Sequence, residues 1–362
     1  MKIIKVGSDF SGVGAFNQAL IRIGMPHEHI FACDWDKYAR ITYIHNYGEP
    51  KYFPKDVYER EIPKESLDIY MTSPPCQAFS IAGKRLGKAD SKGILFFNSH
   101  EFIQVNKPRF FIFENVKGLL SDDNGNTFQE WVNMLGGKSV NGLPILFPYD
   151  NSVPYHLYWQ VLNSKKHGIP QNRERVFLVG IRDDEDNSFQ FPKEEHLKNR
   201  LRDVLEYDVN DKYFLSEKMV NYISKDRKGE ENLIVNREIA TTITCEIKKM
   251  QRSTQDNYIS RYYLSEKRIS TIKKSKRFVG FTDLDLKESA NCVVAGYYKQ
   301  PTDGEYLKLK SNIRRLTPRE CFRLQDFPDT FKFVVSDSQL YKQAGNSITV
   351  RVLEKIIRKF KL

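Results

Sequence analysis

The first half of the chain alternates short apolar runs with stretches in which apolar residues recur every three or four positions. Runs at residues 2–6, 29–33, 67–72, 109–116, 155–162 and 175–180 have strand length and are mostly unbroken by charge, as expected of strands buried on both faces. Between them Phe16, Ala19, Leu20 and Ile23 share a helical face, residues 94–97 lead into a helix toward Val105, and residues 127–135 read as another. Strand then helix, repeated, predicts an α/β domain around a largely parallel sheet. From about residue 183 that rhythm is lost, beginning at Asp183-Asp184-Glu185-Asp186. It returns near the end, where Thr317 is placed to cap a helix with Pro318 at its first position. Residues 343–347 read as a turn, and residues 348–357 as an apolar helix that packs back on the first domain. The division predicted is residues 1–182 with 335–362 as one domain, and residues 183–334 as a smaller inserted unit with its hinge.

Composition changes this picture in one respect. At 362 residues and 40% hydrophobic the chain can build a large core and a second unit, but its net charge of +11 calls for a polyanionic partner. The excess is local: residues 247–277 hold ten Lys or Arg against Asp256 and Glu266, with Tyr258, Tyr262 and Tyr263 interleaved. Such a stretch suits phosphate contacts, though a solvated basic face is the plainer account. The five cysteines are odd in number and include no Cys-x-x-Cys pair, which argues against a disulfide framework or zinc site and fits a reducing cytoplasm. The first residues alternate like a strand rather than a signal peptide, and no run approaches the ~18 apolar residues of a membrane span. A soluble protein without a membrane partner is expected.

Cys76 is the chemical focus. It follows Ser73-Pro74-Pro75 directly after the run at 67–72, so it lies past a strand's carboxyl end, where open α/β sheets bind ligands, on backbone held narrow by two prolines. A small buried cysteine is the competing account, and context must decide. Glu114 closes the most apolar run, where a carboxylate is partly desolvated and suited to general-acid work. Arg173 and Arg175 share one face of an extended segment and can address one carbonyl or phosphate oxygen together. Residues 9–16 read as strand end, glycine turn and helix start. Asn17 stands where the dinucleotide fingerprint wants its third glycine, which disfavours pyrophosphate and leaves a phosphate-free cofactor compatible. Asp34 falls about 20 residues later, where doubly wound sheets place a carboxylate on a ribose. Trp35 beside it can face an adenine, Asp56 can accept from an adenine amino group, and residues 79–93 have the composition of a lid.

Together these motifs resemble the DNA (cytosine-5) methyltransferase family, most closely its compact bacterial restriction–modification type. The resemblance rests on the glycine motif at residues 10–16, Asp34-Trp35, Asp56, Pro75-Cys76-Gln77, Glu114-Asn115-Val116, Gln171-x-Arg173-x-Arg175, the Arg319-Glu320-Cys321 helix and Gly345-Asn346-Ser347, all in family order. It implies a Rossmann-like S-adenosylmethionine-dependent methyltransferase sheet with a smaller inserted target-recognition domain, of which residues 183–313 are the variable part. It further implies catalysis by Cys76 adding to C6 of a flipped-out cytosine, with Glu114 at N3 and Arg173 or Arg175 at O2. S-adenosylmethionine is the implied cofactor, with contacts from Phe10, Gly12, Gly14, Asp34 and Trp35. Asp56, Val57, Pro75, Leu95 and Asn346 complete the implied pocket. Double-stranded DNA is the implied partner, touched by Gln77, Lys84 and Arg85 near the cysteine and by Lys248, Lys249 and Arg252 in the basic stretch. A monomer, cytoplasmic in a bacterium or encoded by a phage, with a separately acting restriction endonuclease, completes the expectation.

The chain departs from the family pattern at several points. Ser8-Asp9-Phe10-Ser11-Gly12 stands where relatives have Asp-Leu-Phe-Ala-Gly, Ala15 replaces a glycine, Asp34 a glutamate and Lys92 an arginine. Both Thr242-Ile243 and Cys292-Val293 fit the element expected beside the flipped base, the spacing to the last helix favouring the second. An RNA cytosine methylase shares most motifs, but its Cys-Phe-Thr signature is absent, since Arg323 follows Cys321-Phe322. A non-catalytic DNA-binding protein on the same scaffold is opposed by the intact Cys76, Glu114 and Arg175.

Overall fold

A computed structural model describes residues 3–75, 94–207, 209–225, 230, 232–245, 255, 257–260 and 313–362. Its centre is a sheet of β1 (Ile4–Asp9), β2 (His27–Cys33), β3 (Ile69–Thr72), β4 (Phe110–Val116), β5 (Ser139–Val140), β6 (Leu143–Pro144), β7 (Tyr155–Asn163) and β8 (Glu174–Arg182). The spatial order is β2-β1-β3-β4-β8-β7-β5-β6. Strands β1 to β4 run parallel, β8 is antiparallel to β4, and β7 is antiparallel to β8. The six long apolar runs are thus strands, within a few residues of the expected bounds.

Their unbroken apolarity has a direct cause. In β4, Phe110 and Ile112 enter the core on one face of the sheet while Phe111 and Phe113 enter that on the other. The first face is covered by α1 (Ala15–Ile23) and by elements from the end of the chain, the second by α3 (Ile94–Asn106) and α4 (Asn126–Leu135), with α2 (Lys37–Tyr47) flanking β2. Phe96 stacks on Trp131 at 4.2 Å between centroids, joining the two covering helices. Helix α3 begins at Ile94 itself rather than after residue 97.

The middle of the chain contributes a short helix α5 (Glu217–Ile223) and an antiparallel pair, β9 (Tyr258–Ser260) with β10 (Ile313–Arg315), around a small cluster that includes Leu215, Ile223 and Tyr258. Then α6 (Pro318–Leu324) starts as expected from Thr317: Thr317 Oγ1 accepts from Glu320 N at 3.2 Å, and Glu320 Oε2 accepts from Thr317 N at 2.8 Å. The expected turn at 343–347 is corrected. Residues through Asn346 belong to α7 (Asp337–Asn346), and the last apolar helix, α8, spans Val350–Ile357. The misreading came from glycine, which here serves a close approach rather than a turn. Helix α8 buries Val350, Val352, Leu353, Ile356 and Ile357 and packs on α1, closing the first face. Five such side chains are worth roughly 1.5–3 kcal/mol each against exposure. Among the described residues no helix is long and apolar enough to cross a membrane.

Candidate functional site

Parallel pairing of β1 to β4 brings their carboxyl ends to one edge of the sheet, and antiparallel β8 begins at that same edge. The chain passes from β1 to β2 on one side and then to β3 on the other, so the edge beside β1 is a topological switch point, where such sheets open a crevice. Phe10, Gly12, Asp34, Pro75, Glu114 and Arg175 all lie there.

The glycine turn is held from β2. One Asp34 carboxylate oxygen accepts from Gly12 N at 2.7 Å and the other from Asp36 N at 2.8 Å. Burial nonetheless pushes its carboxyl above the ordinary range, against those two bonds. Asp36 in turn caps α2 through Tyr38 N and Ala39 N. Phe10 adopts φ 54°, and Gly14, at φ 84°, could carry no side chain, since a Cβ would lie 2.3 Å from Tyr47. Gly12 faces open space, and Ser11 Oγ is buried without a hydrogen-bond partner among the described residues. Trp35 is 79% exposed next to Asp34, a large ring free on one face. Asp56 closes its own turn by accepting from Tyr58 N at 3.0 Å, while Val57 is buried. Pro75 and Asn346 are exposed and Leu95 is half-buried at the start of α3. A glycine turn whose Ser11, Gly12 and Gly14 N–H groups are already engaged, a carboxylate with lone pairs left over and an exposed aromatic ring fit a nucleoside rather than a phosphate, so these residues suit S-adenosylmethionine.

Across the β4–β8 pair, Arg175 Nε lies 3.0 Å from Glu114 Oε1, and Ser73 Oγ donates to Oε2. Asn115 Nδ2 donates to Pro74 O at 3.1 Å, tying β4 to the proline pair that precedes Cys76. Glu114 is thus oriented by one partner on β8 and one just past the end of β3, and the latter, Ser73, is one that sequence reasoning missed. The expectation that Arg173 shares the oxygen addressed by Arg175 is corrected. Arg173 is fully buried and donates to Ile243 O at 2.8 Å, Gly345 O at 3.0 Å and Ser347 O at 2.7 Å. Its guanidinium lashes three segments together because strand β8 starts only after it, at Glu174.

The same clasp seats Thr242-Ile243. Ile243 N donates to Gln171 Oε1 at 2.9 Å and Thr242 Oγ1 to Asn172 O at 2.7 Å, while Gln171 Nε2 donates to Leu324 O at 2.7 Å. Gly345 allows the approach: a Cβ there would lie 2.2 Å from Cys245 N. Cys76, Gln77, Lys84, Arg85, Lys92, Lys248, Lys249, Arg252 and Cys292-Val293 lie outside the described residues, as do the stretch at 79–93 expected to form a lid and most of the basic stretch. Of the described cysteines, Cys33 and Cys321 are buried, and burial pushes the Cys33 thiol up, away from nucleophilic use.

Comparison with known proteins gives this arrangement a family. The family model for C-5 cytosine-specific DNA methylases matches residues 4–362. The type II methyltransferase M.HaeII of Haemophilus aegyptius is 33% identical over 98% of this chain and 92% of its own. M.HhaI of Haemophilus parahaemolyticus is 33% identical over 96% and 91%. Among solved structures, the S. pombe Dnmt2 methyltransferase superposes with a TM-score of 0.65 over 98% of this chain and 97% of that one, at 18% identity, a likeness of fold. Matched by that model over nearly its whole length and by relatives a third identical, the chain belongs to the C-5 cytosine-specific DNA methylases, enzymes whose methyl donor is S-adenosylmethionine.

Proposed function

We propose that the protein methylates a flipped-out cytosine in a specific duplex DNA sequence through a covalent bond from Cys76. The supporting observation is the Glu114–Arg175–Ser73 cluster, fixed where β3 delivers the chain to Cys76. Cytosine C5 is too weak a nucleophile to act alone. Addition of the Cys76 thiolate to C6, with Glu114 in its protonated form donating to N3, makes C5 nucleophilic; once C5 carries the methyl group it loses its proton and the C6–S bond breaks, freeing the thiolate. Arg175 is the arginine that reaches O2, and Arg173 keeps its neighbours in place. S-adenosylmethionine, held by Asp34, Asp56, Phe10 and the exposed Trp35, supplies the electrophilic methyl group. C6 is inaccessible in a stacked duplex, so the base must leave the stack. Residues 183–313 carry target recognition, the basic stretch meeting the phosphates. The enzyme acts as a monomer, paired with a separately acting restriction endonuclease.

The test is a trap. Fluorine at C5 blocks loss of the ring proton after methylation, so duplex DNA with 5-fluorocytosine at the methylated site, located beforehand by bisulfite sequencing, should form a denaturant-resistant complex that requires S-adenosylmethionine and maps to the Cys76 peptide. No complex at a verified site refutes the covalent step.

A further inference from the structure

Asp9 is the last residue of β1 and stands where the family pattern has leucine, yet it is buried. Its carboxylate faces Arg60 Nε at 3.0 Å, with the two side chains 0% and 2% exposed, and accepts from Tyr70 OH at 2.6 Å. Arg60 also donates to Asn98 O at 3.4 Å, and its guanidinium sits 4.7 Å from the centroid of Phe102, which stacks on Tyr70 at 4.1 Å. An ion pair so placed is a poor device for stability, because the cost of stripping water from two charges offsets most of their attraction. Asp9 shows that cost: burial outweighs Arg60 and holds its carboxyl above the ordinary value. What such a pair provides instead is attachment: the two buried charges, 3.0 Å apart, hold their segments together, and the bond from Tyr70 OH fixes the rotation of the carboxylate.

Every member hangs from a segment of the cofactor crevice. Asp9 leads into Phe10 and the glycine turn, Arg60 follows Asp56 and Val57, Tyr70 lies on the strand that runs to Pro74 and Pro75, and Asn98 is one turn beyond Leu95 in α3. We propose that Asp9, Arg60 and Tyr70 form a buried positioning cluster that sets the glycine turn, the Asp56 turn and the start of α3 relative to one another, and thereby tunes affinity for S-adenosylmethionine. This rests on the assignment of that crevice to the cofactor. None of the three touches the reacting atoms. They act through Phe10, Asp56 and Leu95.

The test uses the full-length protein with two replacements. Asp9→Leu with Arg60→Met removes both charges together and leaves no lone buried ion, while Tyr70→Phe deletes one hydrogen bond and keeps the ring stack. Calorimetric affinity for S-adenosylmethionine, affinity for DNA without cofactor, kcat and KM, and the urea midpoint are measured for each, with Asp34→Ala as the control for the crevice. The expected result for the double variant is an unfolding midpoint close to or modestly below that of the parent, because Tyr70 OH loses its acceptor, with cofactor affinity weaker by about tenfold, and DNA affinity and kcat within about twofold. Tyr70→Phe should weaken cofactor affinity in the same direction, by about threefold. If the double variant does not fold, Tyr70→Phe decides. Unchanged cofactor affinity in the folded variants overturns the proposal. When Asp34→Ala still weakens binding the cluster alone is refuted, and when Asp34→Ala is also without effect the crevice assignment falls with it.

Discussion

Replacing Gly345 by alanine sets two effects of opposite sign against each other. Within a helix, alanine is favoured over glycine by about 1 kcal/mol, so propensity alone predicts a more stable protein. The added Cβ, however, would lie 2.2 Å from Cys245 N, 2.3 Å from Thr244 C and 2.6 Å from Thr244 O, all backbone atoms that cannot rotate aside. Overpacking of that kind costs about 1–3 kcal/mol, and Gly345 sits next to the helix end, where the propensity gain is smallest. The clash therefore wins, with a net loss of about 1–2 kcal/mol. Relief requires residues 244–245 to move away from α7, which slackens the bonds from Arg173 to Ile243 O and Gly345 O. Urea unfolding of Gly345→Ala should show a lowered midpoint at unchanged slope, together with slower DNA methylation at saturating S-adenosylmethionine. A variant as stable and as active as the parent would show that helix propensity dominates and that the close approach has no functional weight.

Other expectations follow from described contacts. Arg175→Ala removes the ion-pair partner of Glu114 and should lower kcat by about 100-fold with little change in midpoint, whereas Arg173→Ala should chiefly lower the midpoint; steady-state kinetics with urea unfolding separates the two. Burial pushes His29 from its ordinary 6.5 down to about 3. The unfolded chain therefore binds the extra proton in that window, and His29 should make the fold less stable by about 2 kcal/mol at pH 5 than at pH 7.5. In His29→Phe, urea unfolding at the two pH values should show that part of the difference removed; the same difference as the parent would contradict it. Transferring residues 183–313 onto a related methylase should carry the methylated motif with them, read by bisulfite sequencing, and retention of the recipient's motif would move the boundary.

Strands were legible because β4 and β8 are buried on both faces, so their apolarity is continuous and needs no context. The α6 cap was legible because Thr317, Pro318 and Glu320 act within one helical turn. What stayed hidden depends on partners far away in sequence. Glu114 and Arg175 were both singled out, but their pairing comes from the β4–β8 register, which aligns Glu114 with Phe177 and Val116 with Arg175. Arg173 looked like its neighbour because periodicity records the face of a strand and not where the strand begins. Gly345 read as a turn because nothing local distinguishes a glycine that bends the chain from one that lets another chain segment approach. The Asp9–Arg60 pair joins residues from separate elements, and neither alone carries a signal.

The docking of α8 on α1 has a consequence in time. The ribosome delivers β1 and α1 first and the helix that covers them after every other described element, so during synthesis Ala19 and Leu20 wait for Leu353 and Ile356. At translation rates of roughly 5–20 residues per second, the interval between completing β8 and completing α8 is on the order of ten to thirty seconds. For that interval α1 lacks the helix that covers it, and the apolar patch at Ala19 and Leu20 is a natural foothold for a holding chaperone. A chain released before α8 is made would leave Ala19 and Leu20 without the side chains that cover them.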